Sequence, residues 1–79
     1  IHPMYDQVKK ILMEDLQVDE KDIRPDAELI SDLGVNSLEL ADMVLLCEEK
    51  FGIEIKDEDI HKFITVADVA NYLEEVTGK

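Results

Sequence analysis

The stretch Asp32-Leu33-Gly34-Val35-Asn36-Ser37-Leu38-Glu39-Leu40 sets one hydroxyl, that of Ser37, where a polar, glycine-containing loop gives way to a long amphipathic segment rich in acids. A serine at such a junction can cap the helix, attack an electrophile or receive a covalently attached group. Capping is the commonest use. Here, however, Asn36 already suits the N-cap, and Glu39, three residues on, supplies the partner of a capping box. Ser37 then falls in the first turn, where free amides and the helix dipole favour a phosphodiester. Nucleophilic catalysis needs a general base within hydrogen-bond reach. The only histidines are His2, near a chain end, and His61, beside no ligand or acid–base partner in sequence, so no catalytic residue is assigned. On the residues alone, cap and attachment point both stand.

The elements that must position this serine follow from apolar spacing. Tyr5, Val8, Ile11, Leu12 and Leu16 recur every three or four residues, which predicts a helix over about residues 3–16. The periodicity then fails through residue 36, around Arg24-Pro25-Asp26, and predicts a long loop pinned by Val18, Ile23, Leu29 and Leu33. A second helix is expected from Ser37 to Phe51, with Gly52 ending it. Asp57-Glu58-Asp59 supplies acids for the start of a short third helix to about Phe63. Thr65 with Asp68 repeats the capping pattern ahead of a last helix to about Glu75, striped by Val66, Val69, Ala70, Leu73 and Val76. The expected fold is all-α: a small four-helix bundle with three longer helices, one short third helix and a long first loop.

Size and charge narrow the function. A chain of 79 residues reads as one small domain over 1–79, too short to combine a deep catalytic cleft with its scaffold. Residues 1–3 precede Met4 and read either as a remnant ahead of the natural start or, in Pro3, as the opening of the first helix. Twenty acids against eight Lys and Arg give a formal net charge of −12. Nucleic acid and anionic membrane surfaces should be repelled, and basic protein patches attracted. The single cysteine, Cys47, excludes an intrachain disulfide and fits a reducing cytoplasm, and no apolar run is long enough for membrane insertion. Asp57-Glu58-Asp59 lacks the alternating ligands, central glycine and distal glutamate of a calcium loop, so no metal site is expected.

The second helix carries two apolar faces. At 100° per residue, Leu40, Met43, Val44, Cys47 and Phe51 share one side, which belongs to the core. Leu38, Ala41 and Leu45 project from nearly the opposite side, with Asp42, Glu48 and Glu49 around them. So short a chain cannot cover both, and an apolar stripe framed by acids marks a docking surface.

The serine stretch resembles the Gly-x-Asp-Ser-Leu attachment motif of the acyl carrier protein family. The match is most specific at Gly34, Ser37 and Leu38 and continues through Glu48-Glu49-Lys50-Phe51-Gly52-Ile53-Glu54-Ile55; the likeness spans about residues 8–73. It implies that Ser37 carries phosphopantetheine, transferred from coenzyme A by a phosphopantetheinyl transferase. It further implies a non-enzymatic, monomeric, cytoplasmic carrier of acyl thioesters, in fatty acid biosynthesis by analogy, visiting acyl-transfer, condensing and reducing enzymes with basic docking patches. Asn36, Leu38, Glu39, Ala41, Asp42, Leu45, Glu48 and Glu49 occupy its partner-recognition positions. Leu40, Met43, Cys47, Ile60, Phe63 and Ile64 occupy positions that would line an acyl pocket, with Ile60 and Phe63 bulky enough to favour short chains. Asn36 departs from the family, which has an acid there that meets basic groups of the transferase. Two other readings remain beside it: a specialised polyketide, aminoacyl or peptidyl carrier, and an unmodified acidic interaction module.

Overall fold

Helix α1, Pro3–Glu14, opens the computed structural model, which describes residues 3–79. Of the two readings of residues 1–3, the remnant concerns Ile1 and His2, which lie outside the described residues; Pro3 is the first helical position, where its missing N–H costs nothing. The buried stripe of α1 is Met4, Val8, Ile11 and Leu12. The helix stops two residues short of the expected Leu16. Its closing bonds, Leu16 N–H to Ile11 O at 3.3 Å and Val18 N–H to Leu12 O at 2.9 Å, fold the chain back, and Gln17 enters the left-handed region at φ 58°.

The long loop is more ordered than its sequence announces. A 3₁₀ turn, Glu20–Asp22, is capped by the Asp19 carboxylate. The expected pins hold: Ile23 and Leu29 are buried, and Val18 and Leu33 pack partly buried against the core. Backbone bonds then stitch the loop to the far end of the chain, with Leu29 N–H donating to Ile64 O, Val66 N–H to Ala27 O and Ala67 N–H to Pro25 O at 2.9–3.0 Å. A single antiparallel bridge pairs Glu28 with Thr65, and no strand forms among the described residues.

Helix α2, Ser37–Phe51, matches the expected bounds, capped by Asn36 and ended by Gly52 at φ 64°. Helix α3 is only Asp57–Ile60, shorter than expected. Its continuation to Phe63 is a tight turn, closed by Lys62 N–H to Asp59 O and Phe63 N–H to Ile60 O, which cannot propagate as α-helix. Helix α4, Val66–Thr77, begins at the predicted Thr65–Asp68 capping box and runs two residues past Glu75 to Gly78, again left-handed. Helix α1 packs principally along α4. The fold is therefore an all-α bundle of four helices, three long and one short. Leu12, Leu29, Met43 and Leu73 are its largest fully buried side chains, and no polar or charged residue is buried among those described.

Candidate functional site

The approach to Ser37 is built by the backbone of the loop. Asp32 N–H and Leu33 N–H both donate to Glu28 O, Gly34 N–H to Ile30 O, and Val35 N–H to Leu29 O, all at 2.9–3.1 Å. The Asp32 carboxylate accepts from Glu28 N–H at 2.8 Å and closes the turn from the other side. Gly34 must take φ 71°, a conformation disfavoured for residues with a Cβ, although nothing lies within 4 Å of where a Cβ would stand. Conformation rather than crowding therefore selects glycine. Val35, 2% exposed, anchors the loop in the core one residue before the cap. Between Gly34 and Asn36, Val35 belongs to no helical or strand periodicity, so the sequence gives no sign of this anchoring.

At the helix start, Asn36 Oδ1 accepts from Glu39 N–H at 2.8 Å while Glu39 Oε1 accepts from Asn36 N–H at 3.0 Å, the capping box read from the sequence. Ser37 is thereby relieved of capping. It is exposed at the first helical position, and no group among the described residues hydrogen-bonds its hydroxyl. The amides of Ser37 and Leu38 precede the first residue that can find an intrahelical acceptor, so the helix end presents free N–H donors and positive potential beside that hydroxyl. A phosphate ester fits such a position.

Ser37 also stands on the wall of a groove of about 430 Å³ between α2, α3 and the loop. Its apolar lining is Ile30, Leu40, Ala41, Ile60, Phe63 and Ile64, with Glu28 and His61 at polar positions. Of the positions expected to line an acyl pocket, Leu40, Ile60, Phe63 and Ile64 line this groove. Met43 and Cys47 do not: they are 0% and 1% exposed and belong to the core beneath. Helical spacing put them on Leu40's side of α2, but Leu40 lies at the edge of that face, half-buried, and only the edge reaches the groove. Ile30, 60% exposed in the loop, was missed because its approach to α2 depends on the non-local stitching of the loop. Burial pushes the Cys47 thiol up to about 11, with Lys50 pulling weakly the other way, which leaves it a packing residue.

The side of α2 turned away from the core carries the anticipated exposed stripe, and Ala41 at its edge also lines the groove. Leu38 is 79% and Leu45 56% exposed, Ala41 is exposed, and Asp42 and Glu49 flank them. Two members of the proposed recognition set have structural duties as well. Glu39 completes the capping box, and Glu48 Oε2 accepts from Ile55 N–H at 2.8 Å. Among the described residues, no group of His, Cys, Asp and Glu is arranged to hold a metal ion, and no helix is long and apolar enough to cross a membrane.

Residues 6–73 match the family model described as "Phosphopantetheine attachment site". The chain is 41% identical over 73 residues to an acyl carrier protein of Campylobacter lari, covering 92% of this chain and 95% of that one. It is 38% identical over 72 residues to an acyl carrier protein of Helicobacter pylori, covering 91% and 92% respectively.

Proposed function

Because the chain belongs to the acyl carrier proteins, the family that bears covalently attached phosphopantetheine, we propose that Ser37 is the attachment point and that the cargo is the acyl intermediates of fatty acid biosynthesis. One observation carries the assignment of Ser37: its hydroxyl is exposed and unpaired in the first turn of α2, beside free helix-end amides and at the wall of an apolar groove. When bound, the group supplies a thiol on which acyl chains travel as thioesters.

The residues of the chain divide the remaining work. Asn36 and Glu39 hold the helix end in register, so that Ser37 meets the transferase in a fixed orientation. The Ser37 and Leu38 amides stabilise the negative charge of the ester phosphate. Ile30, Leu40, Ala41 and Ile64 offer the cargo an apolar surface adjoining the serine. Leu38, Ala41 and Leu45 supply the burial for docking, while Asp42 and Glu49 steer basic patches of acyl-transfer, condensing and reducing enzymes into encounter. Steering accelerates association without demanding a tight complex, as a carrier that must leave each partner requires. The protein works in this reading as a cytoplasmic monomer.

Incubation with coenzyme A and a permissive phosphopantetheinyl transferase tests the assignment by intact mass. One phosphopantetheine should be added to the unmutated chain and none to Ser37→Ala. The masses of acyl forms isolated from the native host identify the pathway: a homologous series of saturated chains supports fatty acid synthesis, and aminoacyl or branched polyketide masses refute it.

A further inference from the structure

Phe63 divides two hollows. It is 4% exposed, yet it lines both the groove beside Ser37 and a second hollow of about 530 Å³ on the α4 side, bounded also by Lys56, Asp59, Asn71, Tyr72 and Val76. The partition follows the short third helix. A single turn such as α3 has no stability of its own, so contacts with the rest of the fold must hold Phe63 in place.

Tyr72 supplies two such contacts, one to Phe63 and one to α3. Its ring meets Phe63 edge-on, with centroids 5.1 Å apart and planes at 73°. Its hydroxyl donates to Asp59 Oδ2 at 3.0 Å, and the other oxygen of Asp59 pairs with Lys62 Nζ at 3.2 Å. One side chain of α4 thus fastens α3 and backs the aromatic wall of the groove.

We propose that Tyr72 is a specificity-determining positioning residue: held by Asp59, it keeps Phe63 between the two hollows and so limits the length of acyl chain that the groove accepts. The proposal rests on the groove sheltering cargo, as argued above. A short chain fits against Ile30, Leu40 and Ile64 with Phe63 in place. A longer one must displace Phe63 toward the outer hollow, and the Asp59–Tyr72 hydrogen bond has to yield for it to do so.

The test uses the holo protein and its butyryl, octanoyl and palmitoyl forms, in the unmutated chain, Tyr72→Phe, Asp59→Ala and the double variant. Tyr72→Phe keeps the ring and removes only the hydroxyl. In the unmutated chain stabilisation against heat should peak at a short or medium acyl group. In both single variants the peak should move to a longer one, and the double variant should move it no further. In the holo forms, amide exchange at Phe63 should quicken several-fold in Tyr72→Phe while that of α1 holds. The proposal is overturned if Tyr72→Phe lowers every melting temperature alike with the same preferred chain, or if exchange at Phe63 is unchanged. A series in which no acyl group stabilises the unmutated chain overturns the sheltering reading itself, and the exchange measurement then shows separately whether the Asp59–Tyr72 fastening exists.

Discussion

Glu48 Oε2 accepts a hydrogen bond from the backbone N–H of Ile55 at 2.8 Å, tying the last turn of α2 to the segment that leads into α3. Ile55 is itself 5% exposed. An acid that the sequence places in the proposed docking surface is therefore a structural clasp by geometry. Glu48→Ala should cost about 1–2 kcal/mol of stability by leaving the Ile55 amide without its partner. Asp42→Lys, at an exposed position, should hold or slightly raise the melting temperature by relieving repulsion among the acids, while slowing association with a basic partner in a salt-dependent way. Denaturant melts and stopped-flow binding separate the two effects; equal stability losses in both variants would remove the distinction.

The attachment motif that this loop resembles has an acid where Asn36 stands, and the difference leaves the capping of α2 untouched. As a cap Asn36 works through Oδ1, which a carboxylate supplies equally well, since Asn and Asp rank alike at N-caps. Asn36→Asp should therefore keep the melting temperature and quicken loading by a transferase with basic contacts. Asn36→Ala should cost about 1 kcal/mol through the lost cap. An Asn36→Asp chain that loads no faster would show that charge at this position is not what the transferase reads.

What could be read from the sequence was whatever is local. Capping boxes at Asn36–Glu39 and Thr65–Asp68 lie within four residues, so their signature is written contiguously, and both helix starts fall where expected. The exposed stripe of Leu38, Ala41 and Leu45 followed from helical geometry together with a chain too short to cover it. The groove was half legible. Leu40, Ile60, Phe63 and Ile64 reach it, whereas Ile30 arrives through the pairing of Leu29 with Ile64 and of Ala27 with Val66, contacts across more than thirty residues that leave no periodic trace. Met43 and Cys47 lie in the core beneath the groove rather than on its wall, because a helical wheel gives direction but not depth. The Asp59–Tyr72 bond was invisible for the same reason as Ile30: it joins two elements whose relative placement only the tertiary packing decides.

Cys47 should be inert in the native protein. It is 1% exposed, and burial raises its thiol from the ordinary 9.0 to about 11, so at pH 8 thiolate is scarce and alkylating reagents have no access. Iodoacetamide should label it only as fast as the protein opens, and promptly in denaturant. Prompt labelling of the native chain would contradict its place in the core.

The Asp59 carboxylate is held below its ordinary value first by the Tyr72 hydroxyl and then by Lys62, against a smaller opposing effect of burial. A depressed folded pKa means that the contribution is complete above the unfolded value, near 3.9, and is lost as pH falls through the folded one. Tyr72 is raised, by burial first and then by Asp59. Its contribution is complete below the ordinary tyrosine value, near 10, and is lost as pH rises through the raised one. The stability gap between the unmutated chain and Asp59→Ala should therefore be flat from about pH 5 to 9 and should close on acidification below about pH 4. Paired urea melts across that range measure it. A gap that widened in acid would assign the opposite sign to the interaction.

A net charge of −12 on a body measuring 28 × 28 × 20 Å makes self-repulsion the main electrostatic cost of folding at neutral pH. Ion pairs among the described residues offset part of it and lie at or near the surface: Lys9–Glu20 at 3.2 Å, Lys62–Asp59 at 3.2 Å, and looser contacts of Lys21 with Asp19 and Arg24 with Asp26 at 3.9 and 3.8 Å. Pairs of this kind contribute about 0–1 kcal/mol each and are screened together with the repulsion. At about 10 mM salt the Debye length, roughly 30 Å, exceeds the whole molecule, whereas near 1 M it falls to about 3 Å. Added sodium chloride should therefore raise the melting temperature, by roughly 4–8 °C for each 1 kcal/mol of repulsion relieved. Magnesium should act at lower concentration, most strongly around the dense run Asp57-Glu58-Asp59. A melting temperature that fell with salt would mean that the attractive pairs outweigh the surplus of acids, and the charge-steered docking built on that surplus would lose its footing as well.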